Sequence, residues 1–108
     1  MFVLEGQVVN LEWSYTLDGT FAFAKISNIT GGVVLIASRS GGGATSAPSN
    51  KRFRADISDS QARLTILDVQ AADEGKYEFD LTSSSGTTRD EVEVIVQCKL
   101  FQFRSEVL

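Results

Sequence analysis

The chain has 108 residues, enough for one compact domain and too few for two separate cores. Its net charge of −4 leaves no basic patch to displace phosphate counterions, which speaks against a nucleic-acid partner. With no histidine at all, Ser-His and Cys-His nucleophile pairs and the commonest metal ligand are excluded.

No apolar run approaches the roughly 20 residues that cross a bilayer, and no signal peptide opens the chain, so no direct membrane contact is expected of these residues. Val9, Leu11 and Trp13 recur at period two with Asn10, Glu12 and Ser14 between them, which predicts a strand with one buried face. Residues 16–20, containing Asp18-Gly19, form a turn. Residues 21–27 read as the next strand, with Phe21 and Phe23 inward and Ala22, Ala24 and Ile26 on the other face. In that phase Lys25 falls on the inward row. The chain turns at 28–32, where Asn28-Ile29-Thr30 is an N-glycosylation sequon. Residues 33–38 make a further strand, and 41–50, opening on three glycines, a flexible loop.

The second half alternates more cleanly. Phe53, Ala55 and Ile57, then Leu64 and Ile66, then Tyr77, Phe79 and Leu81, and finally Val92, Val94 and Val96 are the inward rows of four half-buried strands. A polar loop at 83–88 joins the last two. The pattern breaks after Gln97, so the expected domain is 1–97, with 98–108 a linker or the start of a following domain. Short strands separated by turn chemistry, with no helical period, predict an all-β two-sheet sandwich.

The run Asp73-Glu74-Gly75-Lys76-Tyr77-Glu78-Phe79 resembles the D-x-G-x-Y-x-C signature of a variable-type immunoglobulin domain, with Phe in place of the cysteine. The resemblance implies an immunoglobulin-like Greek-key sandwich of V-type, whose strands B to G are those above, with room for a short C″ strand in the loop 41–50. It implies that Tyr77 turns its ring into the core and bonds back to the turn near Asp73 and Gly75. Arg52, upstream at the family's spacing, pairs with Asp73, and Lys25 joins them as a structural charge cluster. Such domains join strands B and F by a disulfide packed on a Trp of strand C. Trp13, Phe79 and Phe23 stand at those three places here, which implies an aromatic cluster instead of the bond. Cys98 is then left over, either for a partner in a flanking region or as an unpaired thiol.

Some vertebrate lymphocyte adhesion and signalling-lymphocyte-activation receptors also lack the disulfide and keep a D-x-x-x-Y-E motif, as Asp73 to Glu78 does. The run Leu11-Glu12-Trp13-Ser14-Tyr15-Thr16-Leu17-Asp18-Gly19 is similar to the membrane-distal domain of cnidarian allorecognition receptors. That resemblance implies the extracellular part of a single-pass plasma-membrane protein, glycosylated at Asn28, that binds the same domain on an opposing cell. It implies no cofactor and no catalytic residue; signal peptide, further domains and anchor would lie outside these residues. A heterophilic receptor domain and a structural spacer domain are the alternatives. The candidate partner-binding face is Ala22, Ala24 and Ile26, rimmed by Glu78, Asp80, Glu91 and Glu93, because a small apolar strip with a charged rim fits a protein interface. The other carboxylates read as solvated surface, and the three glycines are no phosphate loop, since no G-K-[ST] follows.

Overall fold

The computed structural model describes residues 1–97; the segment 98–108, with the expectations for it and for Cys98, lies outside the described residues. Eight strands follow one another: β1 (Phe2–Leu4), β2 (Val9–Ser14), β3 (Phe21–Asn28), β4 (Val34–Ser40), β5 (Phe53–Ile57), β6 (Gln61–Ile66), β7 (Gly75–Ser83) and β8 (Gly86–Gln97). A single 3-10 turn, Ala71–Asp73, leads into β7. The strands form a five-stranded sheet in the order β1-β8-β7-β3-β4 and a three-stranded sheet in the order β2-β6-β5. The immunoglobulin-like sandwich expected from the sequence is the fold observed.

Alternation decides which face each strand buries. β2 follows it without exception, with Val9, Leu11 and Trp13 buried and the residues between them exposed. It meets β6 antiparallel, so that Leu11 faces Leu64 and Trp13 faces Ala62, while β5 pairs with the far edge of β6. From the other sheet Ile26, Tyr77, Phe79, Leu81 and Val94 close on this layer, and Val69 fills the end between them. Each large apolar side chain taken wholly out of water contributes about 1.5–3 kcal/mol. β1 was not expected, because three residues are too few to show a period. It lies parallel to β8, with Val3 beside Val96 and buried.

β3 departs from the expected phase. Its register with β7 shifts between Phe21, opposite Ser83, and Phe23, opposite Thr82, which makes Ala22 the extra residue of a bulge. A one-residue slip sends every later side chain to the opposite face. Phe21 remains buried, Phe23 turns outward at 38 % exposure, and Ala24 and Ile26 are both 0 % exposed. The outward strip expected of Ala22, Ala24 and Ile26 is therefore corrected: only Ala22 is exposed, and the other two belong to the core. Phe23 is corrected from core to surface, and Lys25 moves outward with it. Residues 41–52 contain no strand, so nothing occupies the place of C″. The loop leaves an open cleft beside β4, lined by Gly32, Val34, Leu35, Pro48, Asn50 and Phe53.

Candidate functional site

The corner before β7 is built as its motif implied. Arg52 grips Asp73 with both ends of its guanidinium, Nη1 donating to Oδ2 at 2.7 Å and Nη2 to Oδ1 at 3.0 Å. The backbone N–H of Gln70 donates to the same carboxylate at 2.8 Å. Burial acts to raise the Asp73 pKa, but the Arg52 and Gln70 hydrogen bonds outweigh it and hold the carboxyl below its ordinary range. Tyr77 is wholly buried, and its hydroxyl donates to the Asp73 carbonyl at 2.5 Å. Burial, reinforced by the Asp73 charge, pushes its pKa up to about 12. Gly75 has φ 152°, and a Cβ there would stand 2.0 Å from Thr30 Oγ1, so both its conformation and its neighbour call for glycine. This corner holds strands together and offers nothing to a ligand.

The place of the disulfide is filled by rings. Phe79 stacks on Trp13 with centroids 5.6 Å apart and on Tyr15 at 5.4 Å. Phe23 has no part in the cluster; Tyr15, which the alternation of β2 gave no reason to single out, takes the third position. The Tyr15 hydroxyl donates to the Ser58 carbonyl and so ties the cluster to the turn between β5 and β6.

Lys25 lies apart from Arg52 and Asp73, a second correction to the expected charge cluster. It stands directly across from Asp80 on β7, with Nζ 3.7 Å from Oδ2. Asp80 in turn faces Arg89 on β8, whose Nε is 3.0 Å from Oδ1, close enough for ionic attraction but out of line for a hydrogen bond. Asp80 is thus a buried, doubly paired carboxylate at 7 % exposure and not the solvated rim residue expected. One step along the strands Glu78 faces Glu91 on one side and Ser27 on the other. Like charges directly opposite repel. Burial, together with the nearby Asp80 and Glu91 carboxylates, raises the Glu78 pKa above the ordinary value. The Ser27 hydroxyl is buried with no hydrogen-bond partner. Glu91 and Glu93 are exposed as expected, Glu93 lying opposite Lys76.

Two further groups complete the surface. Arg39, on β4, reaches with Nη2 to Asp59, in the turn between β5 and β6 of the other sheet, at 2.8 Å, and its guanidinium covers the ring of Phe21, at the start of β3 in its own sheet, at 4.2 Å. Nothing in the sequence pattern singled it out, since Phe21 and Asp59 are both far from it along the chain. Asn28 is half-buried; its Oδ1 accepts from Thr30 N at 3.0 Å and from the Thr30 hydroxyl at 2.7 Å. The same hydroxyl accepts from Lys76 N at 2.9 Å, so the sequon also fastens the end of β3 to the start of β7. Among the described residues, no three Cys, Asp or Glu side chains gather as a metal site.

Two facing sheets, a tyrosine corner with its Arg–Asp pair, and a strand pairing parallel to the last one define the class as an immunoglobulin-like domain. The immunoglobulin I-set domain family matches residues 40–96, and the chain belongs to that family. The motif around Tyr77 had suggested the variable-type set. Among curated proteins none matches the chain. Similar solved structures include titin domains Z1Z2 in complex with telethonin, at 23 % identity and TM-score 0.70 over 92 % of this chain and 44 % of that one. A chimeric titin Z1Z2-Z1Z2 tandem is similar at 27 % identity and TM-score 0.69, over 90 % of this chain and 45 % of that one. A titin Ig tandem is similar at 17 % identity and TM-score 0.67, over 92 % and 44 %. The chain thus spans less than half the length of these solved chains.

Proposed function

We propose that this domain is a cell-surface recognition module that binds a second copy of itself on an opposing cell through the solvent face of the five-stranded sheet. One observation carries the reading. Among the described residues, the large apolar side chains exposed on strands are Phe2, Phe23, Val34 and Leu35, and all four belong to strands of that sheet. The three-stranded sheet turns Asn10, Glu12, Arg54, Asp56 and Arg63 to solvent instead. Apolar residues beside a charged rim shed water at low cost, whereas an evenly polar face does not. The similarity of residues 6–19 to the outermost domain of cnidarian allorecognition receptors supports self/non-self discrimination, and with it an extracellular place on a single-pass membrane protein. Immunoglobulin domains generally bind or support and do not catalyse. Contacts of this kind are individually weak and become firm when many act between two surfaces.

The test is clustering of beads coated with the full chain, backed by sedimentation over a concentration series. Wild type should cluster, Leu35→Asp on the proposed face should abolish clustering, and Arg63→Glu on the opposite sheet should leave it intact. Dispersed wild-type beads, with a monomer at every concentration, would refute self-recognition. That outcome is what the second reading expects. A structural spacer domain is favoured by the similarity to titin tandems, and it needs no self-binding face.

A further inference from the structure

The edge of a sheet is where another chain can add a strand, and natural proteins blunt such edges with short strands or charge. The two sheets have four edges, β1, β4, β2 and β5. β1 has three residues, β2 carries Glu12 on its outer row, and β5 carries Arg54 and Asp56. β4 has neither defence. It is seven residues long and bears no charge before Arg39, which Asp59 of the same chain holds at 2.8 Å. One place on its open side is taken: Ser38 N donates to Ser46 Oγ at 2.9 Å, and Ser46 N donates to the Ser38 carbonyl at 2.8 Å. Over residues 33–37, among the described residues, nothing bonds to that side.

The exposed apolar residues of this edge do not share a face. Residues directly opposite one another on paired strands do. Val34 stands across from Asn28 and, through it, in line with the wholly buried Tyr77, so it belongs to the core side. Leu35 stands in line with Ser27 and Glu78, on the solvent side. Val34 is nonetheless 64 % exposed and Leu35 56 %, because no C″ strand runs beside them. A partner lying flat on the sheet would cover Leu35 and leave Val34 in water. A strand added along the edge covers both.

We infer that β4 of a second copy pairs antiparallel with this edge, about a twofold axis through Leu35 and normal to the sheet, so that the two five-stranded sheets become continuous. The inference rests on the self-binding reading and centres its contact on one edge of that sheet. The register follows from Ser46. With Ser38 already occupied, the free ladder covers residues 33–37, and its midpoint, Leu35, meets its own counterpart. Val34 then meets Ile36 of the second copy, and Val33 meets its Ala37. A twofold contact must be self-complementary, and this stretch supplies both the open edge and the apolar side chains that cover it. Charge also favours a second copy here. Residues 26–50 contain no Asp or Glu, although the chain has 14 of them and a net charge of −4. Two such chains repel, and along this stretch they meet without pressing carboxylate on carboxylate.

Two variants of the full chain separate edge pairing from self-binding in general. Val34→Lys changes an exposed residue on the core side, and a thermal melt checks that it keeps the fold. Its beads should disperse, because a lysine on an edge strand opposes pairing at both copies of the contact. A partner lying flat on the solvent face would leave them clustered. Directly opposed antiparallel residues have Cα atoms about 4.5–5.5 Å apart, within reach of a disulfide. With the chain's one cysteine removed by Cys98→Ser, Leu35→Cys should therefore form a covalent dimer under mild oxidation, and Arg63→Cys at the same concentration should stay monomeric. If wild-type beads cluster and Val34→Lys beads do too, or if Leu35→Cys links no faster than Arg63→Cys, edge pairing is wrong and self-binding stands. If wild-type beads do not cluster, the self-binding reading and edge pairing fall together.

Discussion

Replacing Phe79 tests whether stacked rings stand in for the missing disulfide. Phe79 is 4 % exposed and lies against Trp13 at 5.6 Å and Tyr15 at 5.4 Å. Each favourable ring pair adds about 0.5–1.5 kcal/mol beyond burial of its area, so Phe79→Leu, which keeps most of the volume and no ring, should lose about 1–3 kcal/mol. Phe79→Ala also leaves a cavity and should lose about 3–5 kcal/mol. A domain of this size has only about 5–15 kcal/mol in total, so the second change removes a large part of it. Urea denaturation, with slopes compared to confirm that the same surface unfolds, measures both. A double-mutant cycle with Trp13→Leu isolates the pair, for which we expect a coupling of about 0.5–1.5 kcal/mol. Wild-type melts should be the same with and without reductant. Wild-type stability in Phe79→Leu, or strict additivity with Trp13→Leu, would show that the rings merely fill space.

Three further outcomes are expected. Tyr77→Phe should lose about 0.5–1.5 kcal/mol while keeping the fold; because burial holds the Tyr77 pKa at about 12, it should also lessen the loss of stability as pH rises past 10 toward that value. A variant as stable as wild type would mean that the hydroxyl bond to Asp73 contributes nothing. The Asp73 carboxyl titrates below its unfolded value, so its stabilisation is complete at neutral pH and fades as pH falls through the folded pKa. Asp73→Asn should thus destabilise at neutral pH and flatten the acid limb of the stability curve below about pH 4; an unchanged limb would assign acid sensitivity elsewhere. Gly75→Ala should cost more than about 1 kcal/mol through its backbone conformation and the collision with Thr30. Adding Thr30→Gly should recover only the collision, and full recovery in a thermal melt would show that backbone strain plays no part.

Period-two alternation made most of the fold legible, because β2, β5, β6, β7 and β8 each bury one face and a half-buried strand needs nothing else. The corner was legible for a different reason: Arg52, Asp73, Gly75 and Tyr77 each have a chemical task that few other residues perform. β3 was misread because a bulge is a backbone event, and Phe21-Ala22-Phe23 carries no glycine or other mark of one. A warning was nonetheless present in Lys25. Phe23 inward required a charge on the same buried row, whereas the phase observed puts Phe23 and Lys25 outside and sends Ala24 and Ile26 into the core. The candidate face fell with that phase, since two of its three central residues went into the core and Asp80 proved to be doubly paired. The exposure of Phe23 and Leu35 on that sheet instead depends on cross-strand register, which no single strand reveals.

The parallel pairing of β1 with β8 fixes how the domain answers to tension. Ile95 N donates to the Met1 carbonyl at 2.8 Å, and the pairing continues from Phe2 beside Ile95 to Leu4 beside Gln97. Residue 1 and residue 97 thus leave opposite ends of one short ladder. A pull that draws them apart runs along both strands, so the bonds between them are sheared together instead of peeled one after another. Two surfaces joined through such domains would strain the whole ladder at once before any strand is released.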